Sequence, residues 1–172
     1  CHDELSDLYM LCKDKRAEEQ IGQCIDLHRK WLAMDDRFER PHRDTTGYMM
    51  RAYAKMVYLR DLISRDKLNE YYQKCIGLAR ARGDMAEIYS TSARYYQCTG
   101  DYERAVAYID STITVYKSKG IKADLAPIYA TQSYLYEEMG DYKNALKAVR
   151  TTNNIRFNER VEEAQSSLAE MQ

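Results

Sequence analysis

Apolar residues return every third or fourth position through most of the chain, which is the spacing of one buried face of an α-helix. Leu5, Leu8 and Cys12 predict a helix over Asp3 to Lys13, and Ala17, Ile21, Cys24, Ile25, His28 and Leu32 predict a second over Lys15 to Met34. The charged run from Asp35 to Asp44, broken by Pro41, is the longest connection, and Asp44 or Thr45 can cap the next helix. Met50, Tyr53, Ala54 and Val57 predict a helix from Thr46 to Ile63; after a turn at Ser64 to Asp66, Leu68, Tyr72, Cys75 and Ile76 predict another from Lys67 to Arg82. Gly83 suits a left-handed terminator, and Asp84 with Glu87 three residues on reads as a capping box that opens the fifth helix. Gly100-Asp101 divides the fifth helix from the sixth, which runs to about Lys117 before Lys119-Gly120 breaks it. Asp124 is placed to cap the seventh, with Pro127 in its first turn, and Gly140-Asp141 opens the eighth.

These helices repeat one another. Tyr89 corresponds to Tyr129, Tyr96 to Tyr136, Gly100-Asp101-Tyr102 to Gly140-Asp141-Tyr142, and Ala105 to Ala145, forty residues apart. Anchoring on the small or apolar residue after each intra-pair turn aligns Ala17, Leu68, Ala105 and Ala145, then Ile21, Tyr72, Ile109 and Val149, then Cys24, Cys75, Thr112 and Thr152. The anchors are 51, 37 and 40 residues apart, so the first linker carries an insertion. Helices of about 15 residues are marginal alone in water, so each pair needs its neighbours to cover its apolar stripe.

The order of an aromatic residue, a small pair, Tyr, Gly-Asp-Tyr, Ala and a bulky apolar residue four later resembles the tetratricopeptide repeat. Residues 86–152 carry it in two copies, residues 43–81 less completely, and residues 3–33 mainly in their second helix. Departures are the lack of Trp at the first consensus position, Ser92 and Gln132 where Leu is usual, and the missing closing Pro. The resemblance implies an all-α fold, a right-handed superhelix of antiparallel helix pairs (an α-solenoid) with about four repeats over residues 1–154. It also implies that the first helix of each pair lines a concave groove for a peptide or protein partner. Carried over residue by residue, it selects Glu87, Ser90, Arg94 and Gln97 in the third pair and Pro127, Ala130, Tyr134 and Glu137 in the fourth, with Arg51, Lys55 and Tyr58 in the second. Such a groove is basic toward its N-terminal half and acidic at Glu137, with Tyr58 and Tyr134 as flat contacts, a mixture suited to an extended peptide.

Residues 155–172 depart from the repeat. Phe157, Val161, Ala164, Leu168 and Met171 are spaced four, three, four and three, as in a heptad seam. Two readings stay open, a helix capping the last repeat and a helix leading into a dimeric stalk or a downstream domain, which allows a homodimer through this segment.

Composition narrows the chemistry. Charged residues make up 31% and the net charge is −1, so no basic excess argues for nucleic acid bound by this region. No stretch of 18 apolar residues occurs, so any membrane attachment lies in segments outside this chain. Cys1 in place of Met implies a processed start or a segment of something longer, and leaves lipidation of Cys1 open. The five cysteines are odd in number and form no CxxC, which suits neither a disulfide framework nor a zinc site; Cys12, Cys24, Cys75 and Cys98 read as small buried residues. Cys24 and His28 share a helix face, but no third metal ligand accompanies them. Glu137-Glu138 and Asp35-Asp36 read as solvated helix-end charges, and no phosphate loop, nucleophile elbow or carboxylate dyad is present. The expectation is a non-catalytic module without a cofactor or metal.

The chain also resembles the tetratricopeptide sensor regions that precede a membrane span and a coiled segment in bacterial histidine kinases and related transcriptional regulators. That resemblance implies a two-component or similar signal-transduction input module in the periplasm or otherwise outside the cytoplasm. The competing reading is a stand-alone adaptor or scaffold, for which a cytoplasmic location serves equally well.

Overall fold

A computed structural model describes residues 16–32, 45–58, 62–122 and 125–170. The helix expected over Asp3 to Lys13, the Asp35 to Asp44 connection and the Asp124 cap lie outside the described residues. The elements are α1 (Arg16–Leu32), α2 (Thr45–Val57), α3 (Arg65–Arg82), α4 (Met85–Thr99), α5 (Tyr102–Ser118), α6 (Leu125–Glu138) and α7 (Tyr142–Glu170). No strand occurs among the described residues, and the architecture is an all-α helical-repeat fold.

The helix ends follow from local chemistry. Ser64, in an extended conformation, accepts the Lys67 N–H on its hydroxyl at 3.3 Å and starts α3 at Arg65, two residues before the expected position. Gly83 at φ 66° ends the same helix: its N–H reaches the Arg80 carbonyl, and the Asp84 N–H reaches Ala79 at 2.9 Å. These two bonds satisfy carbonyls that the helix leaves open. Asp101 and Asp141 cap α5 and α7 through the Arg104 and Asn144 N–H groups.

Two expectations need correction. The helix expected to reach Ile63 ends at Val57, where the Tyr58 N–H turns back to the Lys55 carbonyl; Ser64 must then be extended to cap α3, and a helix continuing to Ile63 would leave no room for the reversal. The capping box at α4 is only half formed. Asp84 accepts the Glu87 N–H at 3.1 Å, but the Glu87 carboxylate turns inward to the Thr91 hydroxyl, 2.5 Å away, instead of back to the cap.

The chain divides into two compact units, residues 1–98 and 99–172. In the first, Ala17, Ile21 and Ile25 of α1 pack with Met50, Tyr53 and Met56 of α2 and with Cys75 and Ala79 of α3. Glu18 ties α1 to α3, accepting from Lys67 Nζ at 2.6 Å and from the Tyr71 hydroxyl at 2.9 Å. The Tyr72 ring lies on Tyr95 with centroids 4.1 Å apart, and its hydroxyl meets Ser92 Oγ at 3.1 Å. A hydrogen-bonding Ser where the repeat usually has Leu is therefore matched by a Tyr on the facing helix.

In the second unit α5 packs on α6 and α6 on α7. Leu135 is fully buried, and the anchors Ala105 and Ala145 are 0% and 3% exposed. Gln132, the other departure from Leu, donates to Asp110 Oδ1 at 2.6 Å and so joins α6 to α5. Helix α7 runs without a break from Tyr142 to Glu170, through the position where the sequence placed the end of the array.

Candidate functional site

The residues expected to line a groove fall in both units, and each unit is described by itself. In the first, Arg51 and Lys55 are one turn apart on α2, and Tyr58 follows the helix end on the same side. Arg94 of α4 lays its guanidinium over the Tyr58 ring, 4.2 Å from the centroid, and donates from Nη1 to Gln97 Oε1 at 2.9 Å. The Cys98 thiol reaches the Val57 carbonyl at 3.7 Å. Arg94 and Tyr58 are 36 residues apart, close to the 37-residue anchor spacing between the pairs that contain them. Equivalent first helices thus run side by side in the same direction, which the repeat requires.

This arrangement fixes the cations differently. Arg94 is half-buried and held flat by Tyr58 and Gln97, so its remaining N–H groups have a set direction. Arg51 is exposed and lies 4.9 Å from the centroid of the Tyr48 ring, while Lys55 is half-buried. Tyr58 keeps about half its surface in water, at 54% exposed. An aromatic plate that carries a guanidinium on one face and keeps about half its surface in water is a contact surface for a carboxylate or carbonyl together with an apolar side chain.

The other expected residues of this unit sit deeper. Glu87 accepts from Thr91 and faces the Cys75 thiol at 3.9 Å; burial raises its carboxyl above the ordinary value, the neighbouring Asp84 adds to the rise, and Thr91, Cys75 and Arg51 oppose it. Burial also pushes the Cys75 thiol up to about 12. Ser90 is half-buried and returns its hydroxyl to the Glu87 carbonyl of its own helix at 3.3 Å. Gln97 is buried and serves to hold Arg94. The structure therefore brings Tyr58, Arg94 and Gln97 together and engages Glu87 with the interior. Nothing in an Asp-x-x-Glu spacing tells whether the Glu turns back to its cap or forward to a hydroxyl one turn on.

In the second unit Tyr134 is 37% exposed, Glu137 is exposed and accepts from Ser133 Oγ at 3.5 Å, Pro127 is exposed and Ala130 half-buried. Elsewhere in this unit a recess of about 630 Å³ lies between Lys122 and Leu125 on one side and Ile155, Glu159, Glu162 and Glu163 of α7 on the other. Sequence spacing did not point to it, because it forms only where α7 extends past the start of α6.

Cys24 and Cys98 are half-buried and Cys75 is buried, and none of the three is in a disulfide. Among the described residues no group of three His, Cys, Asp or Glu is arranged to hold a metal ion. Also among them, no helix is long and apolar enough to cross a membrane.

Residues 126–151, which cover α6 and the first part of α7, match the tetratricopeptide repeat family. The match takes in one helix pair and supports the same reading for the pairs that repeat it. Comparison with curated proteins gives no significant match.

Proposed function

We propose that the chain is the input region of a bacterial signal-transduction regulator, a histidine kinase or a membrane-linked transcriptional regulator, and that it senses an extended peptide or a protein segment. Tetratricopeptide repeats are protein-interaction modules and are typically non-catalytic, which sets the coarse function. The observation that carries the finer reading is the Arg94–Tyr58–Gln97 cluster with Arg51 and Lys55 beside it, a cationic and aromatic surface set on equivalent helices. On this reading Ser90 extends the contact, Glu87 tunes it from within, and Tyr134 and Glu137 offer a separate contact on the other unit. The module lies on the extracytoplasmic side, membrane attachment comes from segments outside these residues, and α7 carries the output, with homodimerisation as one form that output can take.

The test has two arms. Dodecapeptides selected on the purified chain from a random library are titrated by fluorescence anisotropy against the wild type and against Arg94→Ala combined with Lys55→Ala. Affinity should fall at least about tenfold, the loss of two charge-assisted contacts, while circular dichroism stays unchanged; equal affinity refutes the surface. Reading the gene beyond the codon for Gln172 decides the rest: a membrane span followed by a kinase or DNA-binding region supports the sensor, and a stop codon favours an adaptor.

A further inference from the structure

Helices α2 and α4 meet with an offset of 36 residues, which places Arg94 over Tyr58. The same offset sets Glu87 abreast of Arg51, two turns toward the start of both helices. Along the helix axis the two levels are about 10 Å apart, and Lys55 stands between them on α2. Arg94 has an aromatic ring and an amide for neighbours, whereas Arg51 has the Tyr48 ring at 4.9 Å and a carboxyl group whose ionisation it favours.

That carboxyl group sits where three helices meet. Glu87 Oε1 accepts from the Thr91 hydroxyl at 2.5 Å on its own helix and faces the Cys75 thiol of α3 at 3.9 Å. The same thiol reaches Thr91 Oγ1 at 3.6 Å and the Met50 carbonyl of α2, next to Arg51 in the chain, at 3.5 Å. The charged and titratable groups around Glu87 are Arg51 from α2, Cys75 from α3 and Asp84 at the start of α4. Cys75 is fully buried, and a thiol pushed up to about 12 stays neutral wherever Glu87 titrates. Burial and the neighbouring Asp84 outweigh Arg51, so the Glu87 carboxyl takes up its proton above the ordinary 4.5. The Asp and Glu side chains of a peptide, at about 3.9 to 4.3, are still ionised there.

We propose that Glu87 is a proton-controlled switch for an acidic peptide on this surface: protonated, it leaves the cations Arg51, Lys55 and Arg94 to hold the peptide's carboxylates, and ionised, it offsets Arg51 and repels them. This rests on the reading of the Arg94–Tyr58–Gln97 cluster as the contact surface, and it adds the class of ligand and the direction of its control. An anion bound beside Glu87 makes its proton harder to lose, so binding takes up a proton and affinity rises as pH falls. Two like charges one interhelical spacing apart, roughly 8 Å, weaken binding about fivefold at an effective dielectric constant of about 40.

Fluorescence anisotropy of the full chain with two labelled dodecapeptides tests it, one carrying four Asp among Gly and Leu and the other Asn at those four positions. The Asp peptide should bind the wild type at least about fivefold more tightly at about pH 5.5 than at about pH 8, and the Asn peptide should change less than about twofold. Glu87→Gln keeps an acceptor for Thr91 without the charge, and it should hold the tighter affinity at both pH values while circular dichroism stays unchanged. Arg51→Gln, at an exposed position, gives a second readout: it removes a charge that favours ionised Glu87, so the midpoint of the pH dependence should move upward. An Asp peptide that fails to bind at about 1 mM, the weak end of specific recognition, overturns the proposal. So does an affinity that is equal at both pH values, and so does a pH dependence that Glu87→Gln keeps in full. If library-selected peptides still lose affinity with Arg94→Ala and Lys55→Ala, the contact surface stands and the switch alone falls; if they do not, the surface itself is refuted.

Discussion

Two glycines of α3 separate backbone conformation from packing. A methyl group added at Gly77 or at Gly83 meets nothing within 4 Å, so neither Gly→Ala change creates a clash or fills a hole. The sites differ in the backbone: Gly77 lies inside the helix, and Gly83 sits past its end at φ 66°. In the helix interior Ala is favoured over Gly by about 0.8–1 kcal/mol, so Gly77→Ala should stabilise the chain by nearly that amount. In the left-handed region a Cβ costs about 1–2 kcal/mol, partly offset by the smaller entropy that Ala loses on folding, so Gly83→Ala should destabilise by about 1 kcal/mol. The two variants should thus differ by about 2 kcal/mol, or about 4–8 °C in Tm for a chain of this size. Urea and thermal unfolding followed by circular dichroism at 222 nm read both. Shifts of the same sign would refute the assignment of Gly83 as the left-handed terminator of α3, and with it the Schellman-type bonds to Ala79 and Arg80.

Leu135→Ala removes most of a side chain that is 0% exposed in α6 and should cost about 3 kcal/mol in urea unfolding; a loss below about 1 kcal/mol would mean that the site is not packed as described. Glu87→Gln tests the buried carboxyl. Its folded-state value is raised above the ordinary 4.5, chiefly by burial, so the folded protein binds the proton more tightly than the unfolded chain does. The wild type then loses stability as pH rises from the unfolded value through the folded one. Glu87→Gln lacks that loss, so its stability relative to the wild type should climb across the window and level off above it. Parallel stability curves for the two proteins between pH 3.5 and 8 would refute the inward placement of Glu87.

The fold was legible because its signals are local and repeated. Gly83, Gly100, Gly120 and Gly140 all take positive φ at the helix ends where the sequence has its breaks, and the anchors Ala17, Leu68, Ala105 and Ala145 are buried in successive pairs. The early end of α2 was not legible, since Leu62 and Ile63 continue the apolar spacing and only Ser64 signals the turn. The surface was read less well than the core. Spacing placed Arg51, Lys55 and Arg94 on equivalent helices, but it could not show that Gln97 is buried, that Tyr58 underlies Arg94, or that Glu87 spends its carboxylate on Thr91. Those outcomes depend on which partner each polar side chain finds across helices, and a periodicity holds no information about that.

The exposed side of α7 reflects the same limit. Val149 repeats Ile109 and Leu146 stands forty residues after Val106, both of which are buried, so repeat equivalence alone would place Leu146 and Val149 in the core as well. Burial of a repeat position is a property of the neighbouring helix and not of the residue. Where nothing in the described chain covers the position, a sequence built for stability alone would carry polar residues there, as terminal repeats of a soluble array do. Helix α7 keeps Tyr142, Leu146, Val149, Phe157 and Leu168 in water instead, and it orders its charges against its own dipole. The exposed stripe is an apolar cost that a covering neighbour would lower, whereas Glu159, Glu162 and Glu163 line the recess beside Lys122 and Leu125, so the acidic half belongs to the inner side of the helix and not to the stripe.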